Sequence, residues 1–195
     1  VRDGAIVAVH RGGEALPADC VVRDCGDLAV LPGLVDAGAP GIVLSSRSGR
    51  MASDALPVDA HGATAFKIAS CDVSDATDAV LLCIHVPLSG FLHAAGVLRD
   101  MLLRSMSVHD VAAVFAAKAL AASLVNTTIA HVPVEAMGVF SSVTSTIGDV
   151  GQANYAAANA YLDALSRSRR WQAFLVSSLQ IPAAVSYTHL TLPTK

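Results

Sequence analysis

The chain has 195 residues, 53% of them hydrophobic and 15% charged, which excludes an intrinsically disordered protein and favours one domain with a buried core. Its formal charge of -3 leaves no basic surplus to neutralise phosphates, so nucleic acid is not expected as a partner. The longest apolar runs, such as residues 80–86, fall far short of the roughly 20 residues that a membrane-spanning helix needs, and no charged-then-apolar leader opens the sequence.

The first 37 residues carry an alternation of apolar and polar side chains punctuated by Gly and Asp. It runs through residues 2–9 and 20–25 and predicts small antiparallel strands. No strand-glycine-helix unit is present in this segment. We therefore expect it to differ in structure from the rest of the chain.

From residue 41 onward, short apolar or β-branched runs alternate with longer Ala- and Leu-rich stretches. This pattern is typical of βαβ units around a parallel sheet. It predicts helices at residues 107–125 and 155–170, the second ending in basic residues that suit a helix C-terminus. It predicts strands at residues 41–45, 64–71, 90–93, 136–141 and 174–179. The predicted fold class is α/β, a Rossmann-like, doubly wound parallel sheet.

Cysteines and histidines indicate neither a disulfide framework nor a metal site. Cys20, Cys25, Cys71 and Cys83 lack CxxC spacing, which favours reduced thiols and a cytoplasmic setting. The histidines show no metal-ligand spacing either, so no metal is expected; those considered are His61, His85 and His109.

Four polar residues are candidates for chemistry. Tyr155 and Asn159 are four residues apart, so they project from one face of a helix. Ser142 follows an apolar strand, and side chains at the carboxyl edge of a parallel sheet point into the ligand crevice. Lys118 stands alone in a very apolar helix, where an unpaired buried ammonium is costly. Singly, three of the four also have an ordinary structural interpretation: Tyr155 as a core residue, Ser142 as a helix-capping or turn serine, and Lys118 as a snorkelling surface lysine.

These residues lie in motifs that resemble the ketoreductases of polyketide and fatty acid synthases, within the short-chain dehydrogenase/reductase superfamily. The similar segments are residues 140–143, 151–155 and 158–165. Ordinary members of the superfamily carry Tyr-x-x-x-Lys, whereas Tyr155-x-x-x-Asn159, with Lys118 on the preceding helix, resembles the synthase type. The resemblance covers residues 38–184. It implies NADPH-dependent reduction of a β-ketoacyl thioester on an acyl carrier protein, with other synthase domains as partners.

The same resemblance implies a role for each candidate. Tyr155 would donate a proton to the developing alkoxide, and Ser142 would hydrogen-bond the same oxygen. Lys118 would stabilise the phenolate and hold the cofactor ribose, while Asn159 would position Lys118 or a relay water. A non-catalytic structural remnant of a ketoreductase is the alternative, and the joint presence of all four residues argues against it.

Cofactor residues are predicted at three strand ends. Arg47 stands where a NAD enzyme usually presents a carboxylate to the ribose, which favours a 2'-phosphate and NADPH, although arginines in a Gly/Ser turn are often only solvated. By resemblance, Asp72 would accept from adenine and Gly96 would let the backbone approach the cofactor. The full set of predicted cofactor-binding residues is Ser46, Arg47, Asp72, Val73, His93, Ala94, Ala95, Gly96, Lys118 and Tyr155. Leu98-Arg99-Asp100 resembles the Leu-Asp-Asp of ketoreductases that form D-configured alcohols.

Both ends of the sequence depart from this family. No Gly-x-Gly-x-x-Gly turn precedes residue 41, so we expect the first central strand and the pyrophosphate loop to be missing. Residues 1–37 resemble the start of a cyclic amidohydrolase, but Gly38 and Pro40 stand where its metal-binding histidines would be, so that activity is not expected. Residues 185–195 resemble a translated sequencing adapter and are excluded from the fold. The prediction is a ketoreductase fragment, truncated at both ends, between a foreign head and an artefactual tail.

Overall fold

The computed structural model describes residues 9–11, 20–24, 41–49, 65–84 and 88–182. The strands in these ranges form one parallel sheet in the order β1-β4-β3-β2-β5-β6-β7. The predicted α/β, doubly wound fold is confirmed. The strands are β1 (Val9–Arg11), β2 (Cys20–Asp24), β3 (Gly41–Ser46), β4 (Ala65–Ser70), β5 (Gly90–His93), β6 (Ala136–Ser142) and β7 (Val176–Ile181).

The strand order places a ligand crevice in the middle of the sheet. After β1, the order β4-β3-β2-β5-β6-β7 is the 3-2-1-4-5-6 order of dinucleotide-binding sheets. It reverses direction between β2 and β5, which pair in register Val22↔Phe91. Ligands of such sheets bind outside the carboxyl ends of the strands at this switch point. The ends of β3, β4 and β5 are therefore where cofactor residues should lie.

The structure corrects the expectation of antiparallel strands in the first 37 residues. β1 pairs in parallel with β4, and β2 pairs in parallel with both β3 and β5. The alternating pattern specifies an extended strand but not its partner, and a long connection permits parallel pairing. The expectation that the first central strand is missing is also wrong, because β2 occupies that place. Residues 25–40, where a Gly-rich turn would follow β2, and the predicted tail lie outside the described residues.

Helices cover the sheet. They are α1 (Ala76–Ile84), α2 (Val108–Phe115), a π-helical turn (Ala116–Leu120), α3 (Ala121–Ile129), α4 (Thr144–Ile147) and α5 (Ala153–Trp171). A capping box fixes the start of α2, since Ser107 accepts from the Asp110 N–H and the Asp110 carboxylate accepts from the Ser107 N–H. The prediction missed α1, whose first N–H groups are capped by the Asp75 carboxylate.

The continuous helix from α2 through α3 extends four residues beyond the end of the predicted helix at residues 107–125. It spans Val108–Ile129, 22 residues that include an 18-residue window with a mean hydropathy of 1.6, and within the described residues it is the helix long and apolar enough to cross a membrane by length and composition. A count of uninterrupted apolar residues does not detect this helix, because Asp110 and Lys118 interrupt its apolar residues. Core packing accounts for the apolar face, because Ala121, Val125 and Ile129 are buried in the main cluster.

The core lies between the sheet and the helices. Val43 on β3, Val139 on β6 and Leu162 on α5 have no exposed surface and belong to one cluster. Cys71 and Cys83 are buried cysteines with reduced thiols, as predicted for these two. Burial raises the pKa of Cys83 to about 12, so this thiol is inert at neutral pH.

Candidate active site

A glycine turn directs the start of α5. Gly151 has φ +82°, a conformation that side-chain-bearing residues rarely adopt, and its carbonyl accepts a 2.8 Å hydrogen bond from the Met101 N–H. Gln152 also donates to the Asp100 carboxylate at 3.2 Å. The segment after β5 is thus fastened to the start of the helix that carries Tyr155.

The structure brings Lys118 and Tyr155 together. Lys118 lies in the π-helical turn and is only 3% exposed. Its Nζ donates a 3.1 Å hydrogen bond to the carbonyl of Phe140 and lies 5.1 Å from the centre of the Tyr155 ring. A cation at this distance is attracted to an aromatic ring. The buried ammonium therefore has the partners that the sequence reading required.

Asn159 lies one helical turn after Tyr155 and is fully buried. Its Nδ2 donates a 2.9 Å hydrogen bond to the Tyr155 carbonyl, and its own carbonyl accepts from Ser141 on β6 at 3.2 Å. Its Oδ1 has no hydrogen-bond partner among the described residues. Buried polar atoms are nearly always satisfied, so this acceptor is suited to a donor that joins the site.

Ser142 ends β6 and is 6% exposed. Its Oγ accepts a 3.2 Å hydrogen bond from the Thr144 N–H, which leaves the hydroxyl hydrogen able to donate elsewhere. The carbonyl of Phe140, two residues earlier on the same strand, accepts the hydrogen bond from the Lys118 ammonium. Ser142 and the lysine contact thus belong to the same strand end.

Sequence reasoning missed a fifth polar residue, Asp163, which follows Asn159 by four residues on α5. Its carboxylate accepts hydrogen bonds from Ser145, Ser178 and Gln180, the first at 2.7 Å and the last at 2.9 Å. The i, i+4, i+8 spacing from Tyr155 was visible in the sequence. The donors on β7 were not, because the packing of α5 on the sheet brings them there.

Burial sets the electrostatics of the cluster. It lowers the pKa of Lys118 from 10.5 to about 8, and the negative charge of Asp163 partly opposes this. Burial also raises the pKa of Tyr155, hydrogen bonding with Asn159 opposes the rise, and the charge of Asp100 adds to it. For Asp163, burial raises the pKa but hydrogen bonds from Ser178, Ser145, Gln180 and Ser141 outweigh it, so the net shift is downward. Asp163 is therefore ionised at neutral pH.

A cleft of about 370 Å³ opens at the carboxyl ends of β3, β4 and β5. The lining residues are Arg47, Cys71, Asp72, Val73, Ser74, Ala95, Gly96, Val97, Arg99, Ala113, Ala116, Ala117 and Ala121. Five predicted cofactor residues are among them: Arg47, Asp72, Val73, Ala95 and Gly96. Ser46, His93, Ala94, Lys118 and Tyr155 are not. The π-helical turn contributes Ala116 and Ala117, so the cleft and Lys118 share one element.

The predicted cofactor residues outside the lining have other contacts. The Ser46 carbonyl accepts from the Gly49 and Cys71 N–H groups at 3.1 and 3.0 Å, which holds the turn carrying Arg47 against β4. His93 is fully buried, and its Nε2 lies 3.1 Å from the Lys118 carbonyl oxygen. His93 thus contacts the backbone of the helix that carries Lys118.

The cleft suits the nucleoside end of a nicotinamide cofactor. Arg47 offers a cation at the end of β3, Asp72 a carboxylate at the end of β4, and Ala95 with Gly96 a small-residue surface at the end of β5. One Asp72 oxygen already accepts from the Ser74 N–H and hydroxyl, which fixes the carboxyl group in place. Cation, acceptor and open backbone are the groups that a phosphorylated nucleoside needs.

Solved structures show the class of fold. The first ketoreductase of the tylosin polyketide synthase superimposes with a TM-score of 0.75 at 30% identity, over 87% of this chain and 41% of its own. A structure of A-type ketoreductases from a modular polyketide synthase gives 0.75 at 31% identity, over 87% and 39%. The parallel sheet with its lysine and tyrosine cluster is thus the Rossmann-like fold of the ketoreductases in the short-chain dehydrogenase/reductase superfamily.

Sequence comparison gives the family. The profile of the KR domain matches residues 27–185, and the chain belongs to this family, the ketoreductase domains of polyketide synthases, which are oxidoreductases. Polyketide synthase GfsB of Streptomyces halstedii is 43% identical over 139 residues, 68% of this chain. Mycoketide-CoA synthase of Mycobacterium tuberculosis is 39% identical over 140 residues, also 68%. The chain spans only 2% and 3% of these two relatives, which are much longer proteins.

Proposed function

We propose that this domain reduces the β-carbonyl of a β-ketoacyl thioester to a β-hydroxyl group, with NADPH as reductant. The observation that carries the proposal is the buried Lys118 ammonium, 5.1 Å from the Tyr155 ring centre and next to a cleft that suits a nucleoside. A buried lysine is costly to fold around, and general acid catalysis gives it a use.

Tyr155 is the proposed proton donor. Its O–H bond breaks as the ketone oxygen gains negative charge, and a new O–H bond forms on the product. The pKa of Tyr155 is raised by burial, so the phenol is protonated at neutral pH and available as an acid. The Lys118 ammonium beside it stabilises the phenolate left behind. A proton from solvent then restores the phenol.

Ser142 and Asn159 complete the proposed site. The Ser142 hydroxyl accepts from the Thr144 N–H, so its own hydrogen can be donated to the ketone oxygen, where charge develops. Asn159 Oδ1, without a partner among the described residues, can accept from a water that carries protons to the site or from Lys118. Its Nδ2 bond to the Tyr155 carbonyl holds the amide in the orientation that this requires.

NADPH, when bound, supplies the hydride, so one ketone, one NADPH and one proton give one alcohol and one NADP+. In the proposal Arg47 pairs with the ribose 2'-phosphate, and Asp72 accepts from adenine. Gly96 and Ala95 allow close backbone approach, and Lys118 with Tyr155 meets the nicotinamide ribose. This assignment selects NADPH over NADH through Arg47.

The length of the relatives supports the proposed partners. Synthases similar to this chain in sequence are many times longer than the matched segment. We propose that the thioester substrate arrives on an acyl carrier protein, that other synthase domains are neighbours, and that the protein works in the cytoplasm.

Cofactor binding tests the proposal directly. The purified chain is titrated with NADPH and with NADH by nicotinamide fluorescence, and binding that favours NADPH is expected. Arg47→Gln should reduce the ratio of the two affinities toward one, whereas the matched control Arg104→Gln, on an exposed turn away from the cleft, should not. A folded chain that binds neither nucleotide would contradict the enzymatic proposal and favour a non-catalytic scaffold.

A further inference from the structure

His93 is a buried polar residue that the proposed chemistry does not use. It ends β5, has no exposed surface and is absent from the lining of the cleft. Its Nε2 lies 3.1 Å from the carbonyl oxygen of Lys118. A carbonyl can only accept, so Nε2 carries the hydrogen in this contact. The His93 ring therefore donates a hydrogen bond to the backbone of Lys118, the residue whose ammonium faces Tyr155.

The π-helical turn changes the helical hydrogen bonding at this carbonyl. The Ala121 N–H donates to the Ala116 carbonyl, five residues back, and is shared with the Lys118 carbonyl, three residues back. Shared bonds of this short type have poorer geometry than the usual i to i−4 bond. The Lys118 carbonyl thus shares the Ala121 N–H with the Ala116 carbonyl, and His93 supplies a further donor to it.

Lys118 is consequently held at both ends by adjacent strands. Its backbone carbonyl accepts a hydrogen bond from His93 at the end of β5, and its Nζ donates one to the carbonyl of Phe140 on β6. β5 and β6 are hydrogen-bonded neighbours, in register His93↔Val139. The two anchor points belong to one rigid surface, which fixes the direction of the side chain between them.

We infer that His93 is a positioning residue, whose Nε2–H stabilises the π-helical turn and thereby aims the Lys118 ammonium at Tyr155. This inference rests on the proposed function for its catalytic meaning, but its structural content can be measured without turnover. It also reassigns His93, because the sequence resemblance placed this residue among those that bind the cofactor.

The matched variants are His93→Gln and His93→Asn. The Gln amide reaches the place of Nε2 and can donate to the Lys118 carbonyl, whereas the Asn amide is shorter and cannot. Both are uncharged amides. The other titratable groups facing the cluster stay the same: Asp163 and Tyr155 from α5, and Asp100 from the segment after β5.

Lysine NMR reads the position of Lys118. The chain has three lysines, Lys67, Lys118 and Lys195, so labelled side-chain carbons are simple to assign. In the parent chain Lys118 should titrate with a pKa of about 8. His93→Asn should release the ammonium toward solvent and raise this pKa by more than about one unit, and His93→Gln should preserve it. Equal titration in all three chains would overturn the inference.

Two further measurements test the inference independently of the Lys118 titration. Nitrogen NMR of the unmodified His93 ring shows which nitrogen carries the hydrogen, and an unprotonated Nε2 would overturn the inference even if neither variant folds. In turnover of a β-ketobutyryl thioester, His93→Asn should lower kcat about 10- to 100-fold with little change in the KM for NADPH. A raised KM with unchanged kcat would assign His93 to the cofactor instead. Absence of turnover in every chain would count against the proposed function and leave the lysine titration as the test.

Discussion

The nitrogen of Lys118 that lies 5.1 Å from the centre of the Tyr155 ring also donates a 3.1 Å hydrogen bond to the Phe140 carbonyl. The two contacts come from different elements, α5 and β6, so the ammonium is constrained in two directions. Substitutions that change one chemical group at a time in this cluster have distinct, measurable outcomes.

Tyr155→Phe keeps the ring beside the ammonium and removes only the hydroxyl. We expect ketone reduction to fall by about 10²- to 10⁴-fold, the usual contribution of a positioned general acid, with NADPH affinity nearly unchanged. Steady-state turnover and fluorescence titration measure the two quantities. Tyr161→Phe, on the same helix but 38% exposed, is the control and should be active. Undiminished turnover in Tyr155→Phe would refute the assignment.

Lys118→Met should stabilise the fold at neutral pH. The folded state lowers the pKa of Lys118 from 10.5 to about 8, so between these values the unfolded chain binds more protons and stability rises with pH. Below about pH 8 the buried ammonium therefore lowers the free energy of unfolding by its full amount, which is at most about 3 kcal/mol. This destabilisation disappears above the pKa that the lysine has in the unfolded chain. Denaturant unfolding at pH 7 and pH 10.5 measures the difference. A variant less stable than the parent at pH 7 would contradict the expectation.

Asp163→Asn should lower the pKa of Lys118 further, because it removes the negative charge that opposes the effect of burial. The amide keeps the shape of the carboxyl group among its hydroxyl and amide neighbours. Side-chain NMR of Lys118 reports the shift. Asp149→Asn, at an exposed position, is the charge-matched control. If the two variants gave the same Lys118 titration, the coupling between Asp163 and Lys118 would be disproved.

Cys83 should resist alkylation in the folded chain. Burial raises its pKa to about 12, so almost no thiolate exists at pH 8. Iodoacetamide labelling followed by peptide mass spectrometry separates Cys83 from the other cysteines. Labelling should become rapid only in denaturant, where the ordinary pKa returns. Equal rates in the folded and denatured chain would show that Cys83 is not buried as described.

Local patterns were enough to predict part of this molecule. The i, i+4 spacing of Tyr155 and Asn159 is a property of one helix, and the strand carrying Ser142 is a single apolar run, so both were found from sequence. Asp163 has the same spacing but was missed, because the donors Ser178 and Gln180 come from a distant strand. Strand partners were missed for the same reason, since the pattern of β2 fits antiparallel and parallel pairing equally.

The π-helical turn was also beyond sequence reasoning. Ala116–Leu120 has the composition of an ordinary helix, and what widens the turn is a set of contacts with other elements. Helix α1 was missed because its apolar residues form a run too short to distinguish helix from strand. The sequence thus indicates which residues belong to the candidate site, while tertiary packing determines the directions of their side chains.

Because the π-helical turn is wider than an α-helical turn, the count of residues in it determines the direction of the Lys118 side chain. An α-helix advances about 100° for each residue, but a π-helical turn holds one extra residue, so deleting one alanine between Ala116 and Leu120 would convert the turn to regular helix without rotating the helix beyond it. The apolar face of α3, buried through Ala121, Val125 and Ile129, would then still face the core, and the change would be confined to the turn itself. The number of residues in this one turn therefore sets the direction of the lysine within it, while the helix that follows keeps its packing against the core.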